Sequence, residues 1–556
     1  MKPRLGVIAL AAAAAGAGLP AALYAADASE HLNVQQPSAP AYQPRDGGQF
    51  ELPPVAPAPA DAGAAATARG VLKAVEFHGN SVIASTELAT VAEMYLGRSV
   101  SEADLEALRL ALTRHYIERG YVNSGAQLGE FKDGRLQVEL IEGRLTGMRL
   151  RGLERLDESY VVARLAPDEQ AVLNIDSLRE RFLLLLENPL FARMNARLVP
   201  GERPGEAVLD LDISRARPYQ LTLFANNYRP PSTGSQAYGV SGWVRNLTGQ
   251  GDLLEASAED ALAAESSGRY SLGWRMPLTR RGTLLSLQYE HGRSSVVEEP
   301  LAVLHIRSVL DSRDIGISQT FVETLAHKFT LGANRVWREN STTLLGQPFS
   351  FTGGEPDGKL RVRAWRYWAE YSHRTETRAL ALRYTLSSAR NNIQDAPGVP
   401  DHAYRIGLAQ MQFAQRVSDA GAQVILRATR QDTTSMLPSL DRMALGGIYT
   451  VRGYRENQLI RDTGSIVNLE LDFPLLQNAA PDWRVNLVPF YDWGRGKNQN
   501  ETAATLSSAG LAARARWRGL SVDLTLAHRI VHPDGIGGSG NLQDSGVHVQ
   551  LSWNLF

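Results

Sequence analysis

Residues 484–494, RVNLVPFYDWG, put Val485, Leu487, Pro489, Tyr491 and Trp493 on one face of an extended chain, with Arg484, Asn486, Phe490, Asp492 and Gly494 on the other. A period of two is that of a strand, whose successive side chains point to opposite faces. SIVNLELDF repeats it at 465–473, with Val467, Leu469, Leu471 and Phe473 opposite Asn468, Glu470 and Asp472. GVHVQLSWNLF repeats it at the end, where Val547, Val549, Leu551, Trp553 and Leu555 share a face. All nine tryptophans fall between Trp243 and Trp553. A soluble sandwich of roughly seven to nine strands alternates in the same way, but residues 216–556 are too many for one. Segments of about ten residues, apolar on one face and polar on the other with aromatic ends, are the pattern of a transmembrane antiparallel β-barrel. Sixteen strands fit, at about 21 residues per strand and connection, and twelve or eighteen fit nearly as well.

The N-terminal sequence agrees with an exported barrel. Lys2 and Arg4 precede an apolar run from Leu5 to Leu19 and small residues at Ala25, Ala26 and Ala28, so residues 1–28 read as a secretory signal peptide. The chain has no cysteine, so stability after export rests on its own cores and a closed sheet. No later apolar run approaches the roughly 18–20 residues of a membrane-spanning helix, which leaves strands as the means of crossing. Lys and Arg total 58 against 59 Asp and Glu, a balance that offers no basic face for nucleic acid.

Residues 29–69 hold Pro37, Pro40, Pro44, Pro53, Pro54, Pro57 and Pro59 among alanines and read as an extended, mobile linker, with a short helix near Ser29 to Gln36. A strand, helix, helix, strand, strand order then occurs twice. In the first unit, 71–143, VLKAVEFHG reads as a strand, and Ser101 with Asp104 caps a helix whose buried face is Leu105, Leu108, Leu112 and Tyr116. Asp133-Gly134 turns the closing hairpin. In the second unit, 144–215, MRLRGL opens, helices span 157–165 and 176–187, and FARMNARLVPG with AVLDLDISRA closes. Leu178, Phe182, Leu185 and Leu186 form the second helix's apolar face, and Asn188-Pro189 stops it.

Together these segments resemble the outer-membrane transporters of two-partner secretion, the haemolysin secretion/activation family, within the superfamily that includes BamA. The paired modules resemble POTRA domains. VEFHGN at 75–80 and YIERGYVNSGAQL at 116–128 carry the likeness in the first, and NNYRPPSTG at 226–234 resembles the first barrel hairpin. The segment LGGIYTVRGYREN at 445–457 contains VRGY, the superfamily hallmark, and Phe490, Asp492 and Gly494 match its strand motif. Phe556 departs from the pattern, lying out of phase with Leu555.

The resemblance implies that Val451, Arg452, Gly453 and Tyr454 tip a loop folded back into the lumen. Gly446, Gly447 and Gly453 supply the sharp turns such a loop needs. An arginine in a narrow lumen needs an ionic partner, because an unpaired buried charge is costly. Alternation puts Asp492 on the inner face whatever the family, and its carboxylate can meet a guanidinium at two points. Glu470 and Asp472 share that parity and are the alternatives.

The resemblance further implies export of an unfolded exoprotein, a large β-helical adhesin or haemolysin, held by the POTRA modules at open strand edges and apolar grooves. It implies contact with outer-membrane lipid and insertion by the barrel-assembly machinery. No Walker loop is present, so the cargo's folding outside is the energy source. A BamA-type assembly factor is the alternative, although the space before the barrel holds only two modules. Nothing points to an enzyme, cofactor or metal: no HExxH or GxSxG occurs, and GIGGSG at 535–540 lacks a following helix.

Overall fold

A computed structural model describes residues 42–43, 49–51, 68–166, 171–262, 267–279, 282–478, 483–532 and 540–555. The chain divides into two units, residues 45–218 and the remainder, the latter dominated by 219–556. The signal peptide, the short helix expected near 29–36, most of GIGGSG, and Phe556 lie outside the described residues.

From Tyr219 onward, sixteen antiparallel strands close into a barrel, the first, Tyr219–Asn226, pairing with the last, Val547–Asn554. Closure satisfies every edge, which lipid demands. Alternation decides the two surfaces: Leu469, Tyr491, Leu551 and Trp553 are exposed on the outside, whereas Asn334, Arg338, Gln410, Asn468 and Asp492 are buried inside. At the end where the chain enters the barrel the connections are short. One is Arg518-Gly519, both at positive φ as a two-residue hairpin turn requires, flanked by Trp517 stacked on Trp483 at 5.3 Å. Connections at the other end are longer, and residues 433–462 form the longest. No described helix is long and apolar enough to cross a membrane.

In the other unit, the first module packs helices Ser85–Ala92 and Glu102–Glu118 on a three-stranded sheet of Ala74–His78, Arg135–Ile141 and Gly125–Lys132. The Ser101 and Asp104 side chains form a reciprocal capping box, and Leu105, Leu108, Leu112 and Tyr116 are buried against Val138 and Leu140. VLKAVEFHG is not one strand, however. Ala68–Val71 pairs with Ser99–Ser101, and the chain breaks at Leu72 and Lys73, whose N–H groups donate to Arg98 and Gly134 carbonyls.

The second module sets helices Glu158–Leu165 and Ile175–Leu186 on strands Arg144–Arg151, Phe191–Pro200 and Glu206–Arg215. A fourth strand, Gln49–Glu51, adds in parallel to Phe191–Pro200 and corrects the expectation of a wholly mobile linker. Phe50, the apolar anchor in that stretch, meets Phe182 edge-on at 5.5 Å, and the open sheet edge supplies backbone partners. In the barrel unit, Tyr42 is also held: its hydroxyl donates to Gln423 Oε1 at 2.8 Å and its ring lies under Arg416.

Candidate functional site

The long connection begins as a two-stranded ribbon, Met443–Leu445 against Leu459–Arg461, and its tip turns at Gly446 and Gly447 with φ of 107° and 104°. Gly453, φ 89°, lies so close to the wall that a Cβ there would come within 2.9 Å of Ala527 Cβ. A side chain at either kind of position would be strained or would clash. Leu445, Val451 and Tyr454 pack with Ile466 and Leu506 in an apolar cluster inside the barrel. Gly494 makes room for it, since a Cβ there would meet Val451 at 2.8 Å and Leu445 at 3.0 Å.

Arg452 is 4% exposed, and Asp492 and Glu470 are 0% and 1% exposed. The Arg452 Nε donates to Asp492 Oδ2 at 2.7 Å, Nη2 to Oδ1 at 2.7 Å, and the Arg452 backbone N–H to Oδ2 at 3.0 Å. Its Nη1 donates to Glu470 Oε1 at 2.7 Å, and the guanidinium lies 3.6 Å from the centre of the Phe490 ring. A bidentate fork, a third carboxylate contact and an aromatic face together satisfy a charge with little access to water. Asp472, the other alternative, does not reach Arg452; it accepts from Asn486 and lies 3.8 Å from Arg514.

Several partners carry no motif. Asn468 Nδ2 donates to Asp492 Oδ1 at 2.8 Å, and Arg427 and Arg514 converge on Glu470 at 2.5 and 3.2 Å. Three guanidiniums thus meet three carboxylates on one patch of wall. Arg529 Nε donates to the Gly453 carbonyl at 2.5 Å, and the Gly453 N–H donates to His548 Nε2 at 3.3 Å. Tyr454 Oη accepts from the Ser507 N–H at 3.1 Å. The only sequence signal for these residues is a polar side chain at an inward position of an alternating strand.

Two further groups of contacts hold the loop. Arg455 pairs with Asp544 at 2.6 Å and Glu298 at 2.8 Å, and the Glu456 N–H donates to Gln543 Oε1 at 2.9 Å. Nearer the root, Asp441 binds Arg338 and Tyr404 on the wall. Among the described residues, no group of His, Asp and Glu has the arrangement of a metal site.

A lipid-facing cylinder with a charged lumen, entered by its own outer loop and preceded by two small α+β modules, defines an outer-membrane transporter of the POTRA-plus-barrel class. The model of the family described as "Haemolysin secretion/activation protein ShlB/FhaC/HecB" matches residues 205–517, and that of the "POTRA domain, ShlB-type" matches residues 71–143. The chain belongs to the haemolysin secretion/activation protein family, whose members act in two-partner secretion.

Its relatives include the outer membrane transporter CdiB of Dickeya dadantii, 23% identical over 492 residues, covering 83% of each chain. Another is the heme/hemopexin transporter protein HuxB of Haemophilus influenzae, 25% identical over 452 residues, covering 75% of this chain and 74% of the other. The solved structure of CdiB from Escherichia coli shares the fold, with TM-score 0.69, 19% identity and coverage of 90% and 93%. BamA from Haemophilus ducreyi is a more distant fold match, at TM-score 0.50 and 12% identity, covering 87% and 100%. The protein is an outer-membrane transporter with its POTRA modules in the periplasm, and its family implies a secreted exoprotein partner.

Proposed function

We propose that the Arg452 to Asp492 pair is the latch that holds this transporter ready for export of one large β-helical exoprotein, an adhesin or haemolysin. The observation that carries the reading is the buried fork between loop tip and wall, shared with Glu470. Removing one partner of a buried pair leaves the other uncompensated and costs about 3–5 kcal/mol, enough to release the tip. The cargo is held extended by the periplasmic modules, passes through the lumen and folds outside, and that folding draws it forward.

The test is secretion by Arg452→Ala in cells that make this transporter's exoprotein partner. The variant is expected to reach the membrane as a heat-modifiable barrel while secretion falls at least tenfold. Undiminished secretion by a correctly inserted Arg452→Ala barrel would refute the latch. Loss of many unrelated barrels on deleting the chain would instead point to an assembly role.

A further inference from the structure

The outer surface of the barrel carries a second constellation of arginines, with no part in the latch. Register places Arg313, Trp337, Arg363 and Arg390 directly across four neighbouring strands. One row nearer the periplasm, Arg335 stands opposite Trp365, and Arg405 extends that row beyond Ser388. All these positions have outward parity, shared with the exposed Ile315, Tyr367 and Leu386. Arg313, Arg363, Arg390 and Arg405 lie toward the outer ends of their strands, on the side of the long loops, whereas Arg335 lies midway along its strand and level with Ile315, with Tyr367 and Leu386 one row below. The rows therefore mark where the lipid-facing band meets the outer headgroups.

Among the described residues, none of the five guanidiniums lies within ion-pair distance of a carboxylate. In the row above, Asp311 is hydrogen-bonded to Tyr289 and His291 and faces Arg313 only beyond ion-pair distance, and Glu339 is paired with Arg361. Arg363 and Arg390 stand directly opposite each other, an arrangement of like charges that destabilises a sheet unless an anion lies between them. Arg335 is held 5.4 Å from the ring of Trp337 and 5.2 Å from that of Trp365, which fixes one cation at the interface. The row from Arg313 to Arg390 crosses three strand gaps, or about 14 Å. That span suits a headgroup with more than one phosphate, each able to accept from a guanidinium fork.

We propose that this face binds a multiply phosphorylated lipid of the outer leaflet, its phosphates on Arg313, Arg363 and Arg390 and its chains along the apolar band beneath. Charge and position together select that occupant: the cationic rows border lipid and would draw in an anion already anchored there.

The test uses the full chain in zwitterionic detergent, with native mass spectrometry of bound lipid A carrying two phosphates, the same lipid dephosphorylated, and phosphatidylethanolamine. The phosphorylated form is expected to bind at least about tenfold tighter than the dephosphorylated one, as one lost charge-assisted contact implies. Arg313→Gln, Arg363→Gln and Arg390→Gln together should abolish that preference, and lysine at the same positions should restore most of it. If the triple variant does not yield a heat-modifiable barrel, Arg390→Gln alone, near a strand end, should still reduce the preference several-fold. Equal binding of phosphorylated and dephosphorylated lipid, or a glutamine variant that keeps the preference, would overturn the proposal. Release of bound lipid A by inorganic phosphate at matched phosphate concentration would overturn the lipid assignment in favour of a free-anion site. Secretion is not read, so failure here leaves the latch untouched.

Discussion

At the scale of single residues, the three inward acids separate by geometry. Asp492 takes two guanidinium contacts and a backbone N–H, Glu470 takes one contact from Arg452 and others from Arg427 and Arg514, and Asp472 takes none from Arg452. Asp492→Ala and Glu470→Ala should therefore each lower secretion sharply, the first by unseating the fork and the second by leaving three cations around an empty place. Asp472→Ala should secrete at close to the parental level. Immunoblots of culture supernatant, normalised to folded barrel, read all three, and equal loss in Asp472→Ala would show that inward charge in general, not the fork, matters. The strand parity of FYDWG was legible without the structure, and so was Asp492 as the leading partner. The division of one arginine between two acids was not, because it depends on how strands 463–478 and 483–497 lie beside each other beneath a loop from elsewhere.

Among the elements, the first module depends on a carboxylate that links its turn to its sheet. Glu142 accepts from the Ser81 and Val82 N–H groups at 2.7 and 2.9 Å, from the Ser81 hydroxyl, and from Tyr116 Oη at 3.1 Å. Burial alone would raise its pKa, but these hydrogen bonds outweigh burial and hold it below the usual carboxylate range. A depressed pKa contributes stability that is present above the unfolded value, near 4.3, and is lost as pH falls through the folded value. Glu142→Gln should thus cost about 1 kcal/mol at pH 7, discounted for partial exposure, and the difference from the parent should shrink in acid. Denaturant titration of the periplasmic unit by circular dichroism at pH 7 and pH 3.5 measures both; a difference that does not narrow would remove the ionised carboxylate as the cause.

The barrel seam is a second such element. Only Thr222–Asn226 registers with Gln550–Asn554, and the Asn227 side chain prolongs the ladder by donating to the Val547 carbonyl and accepting from the Val549 N–H. Gln543 then ties the Asn227 and Arg229 carbonyls to Glu456 of the loop. Asn227→Ala should lower the temperature at which the barrel loses its compact electrophoretic form, by more than Asn392→Ala, which removes two exposed contacts within the wall, to the Lys359 carbonyl and from the Arg361 N–H. An equal shift would place the seam's strength in the registered strands alone. Amphipathic helices and alternating strands were readable because each needs only local periodicity. The strand at Gln49–Glu51 and the seam clasp were not, because each joins residues far apart in sequence and neither has a period.

Across the whole barrel, the loop that fills the lumen is fastened on opposite sides. Its tip is held by residues of the last five wall strands, through Glu470, Asp492, Ser507, Arg529 and His548. Its root is held by Asp441, against Arg338 of strand 327–344 and Tyr404 of strand 403–416. Beside it lies a cavity of about 590 Å³ walled by Arg338, Asp441, Arg452 and Glu470 among others. Freeing one fastening leaves the loop spanning the lumen from the other, so the two should act together to limit ion flow. In planar bilayers, Asp441→Asn and Arg452→Ala singly should raise conductance modestly, and the double variant should exceed the sum of the single increments. Deletion of residues 446–457 should match or exceed the double variant, because it removes the obstruction itself. Strictly additive increments would mean that tip and root move independently, and a deletion with parental conductance would mean that some other part of the chain closes the pore.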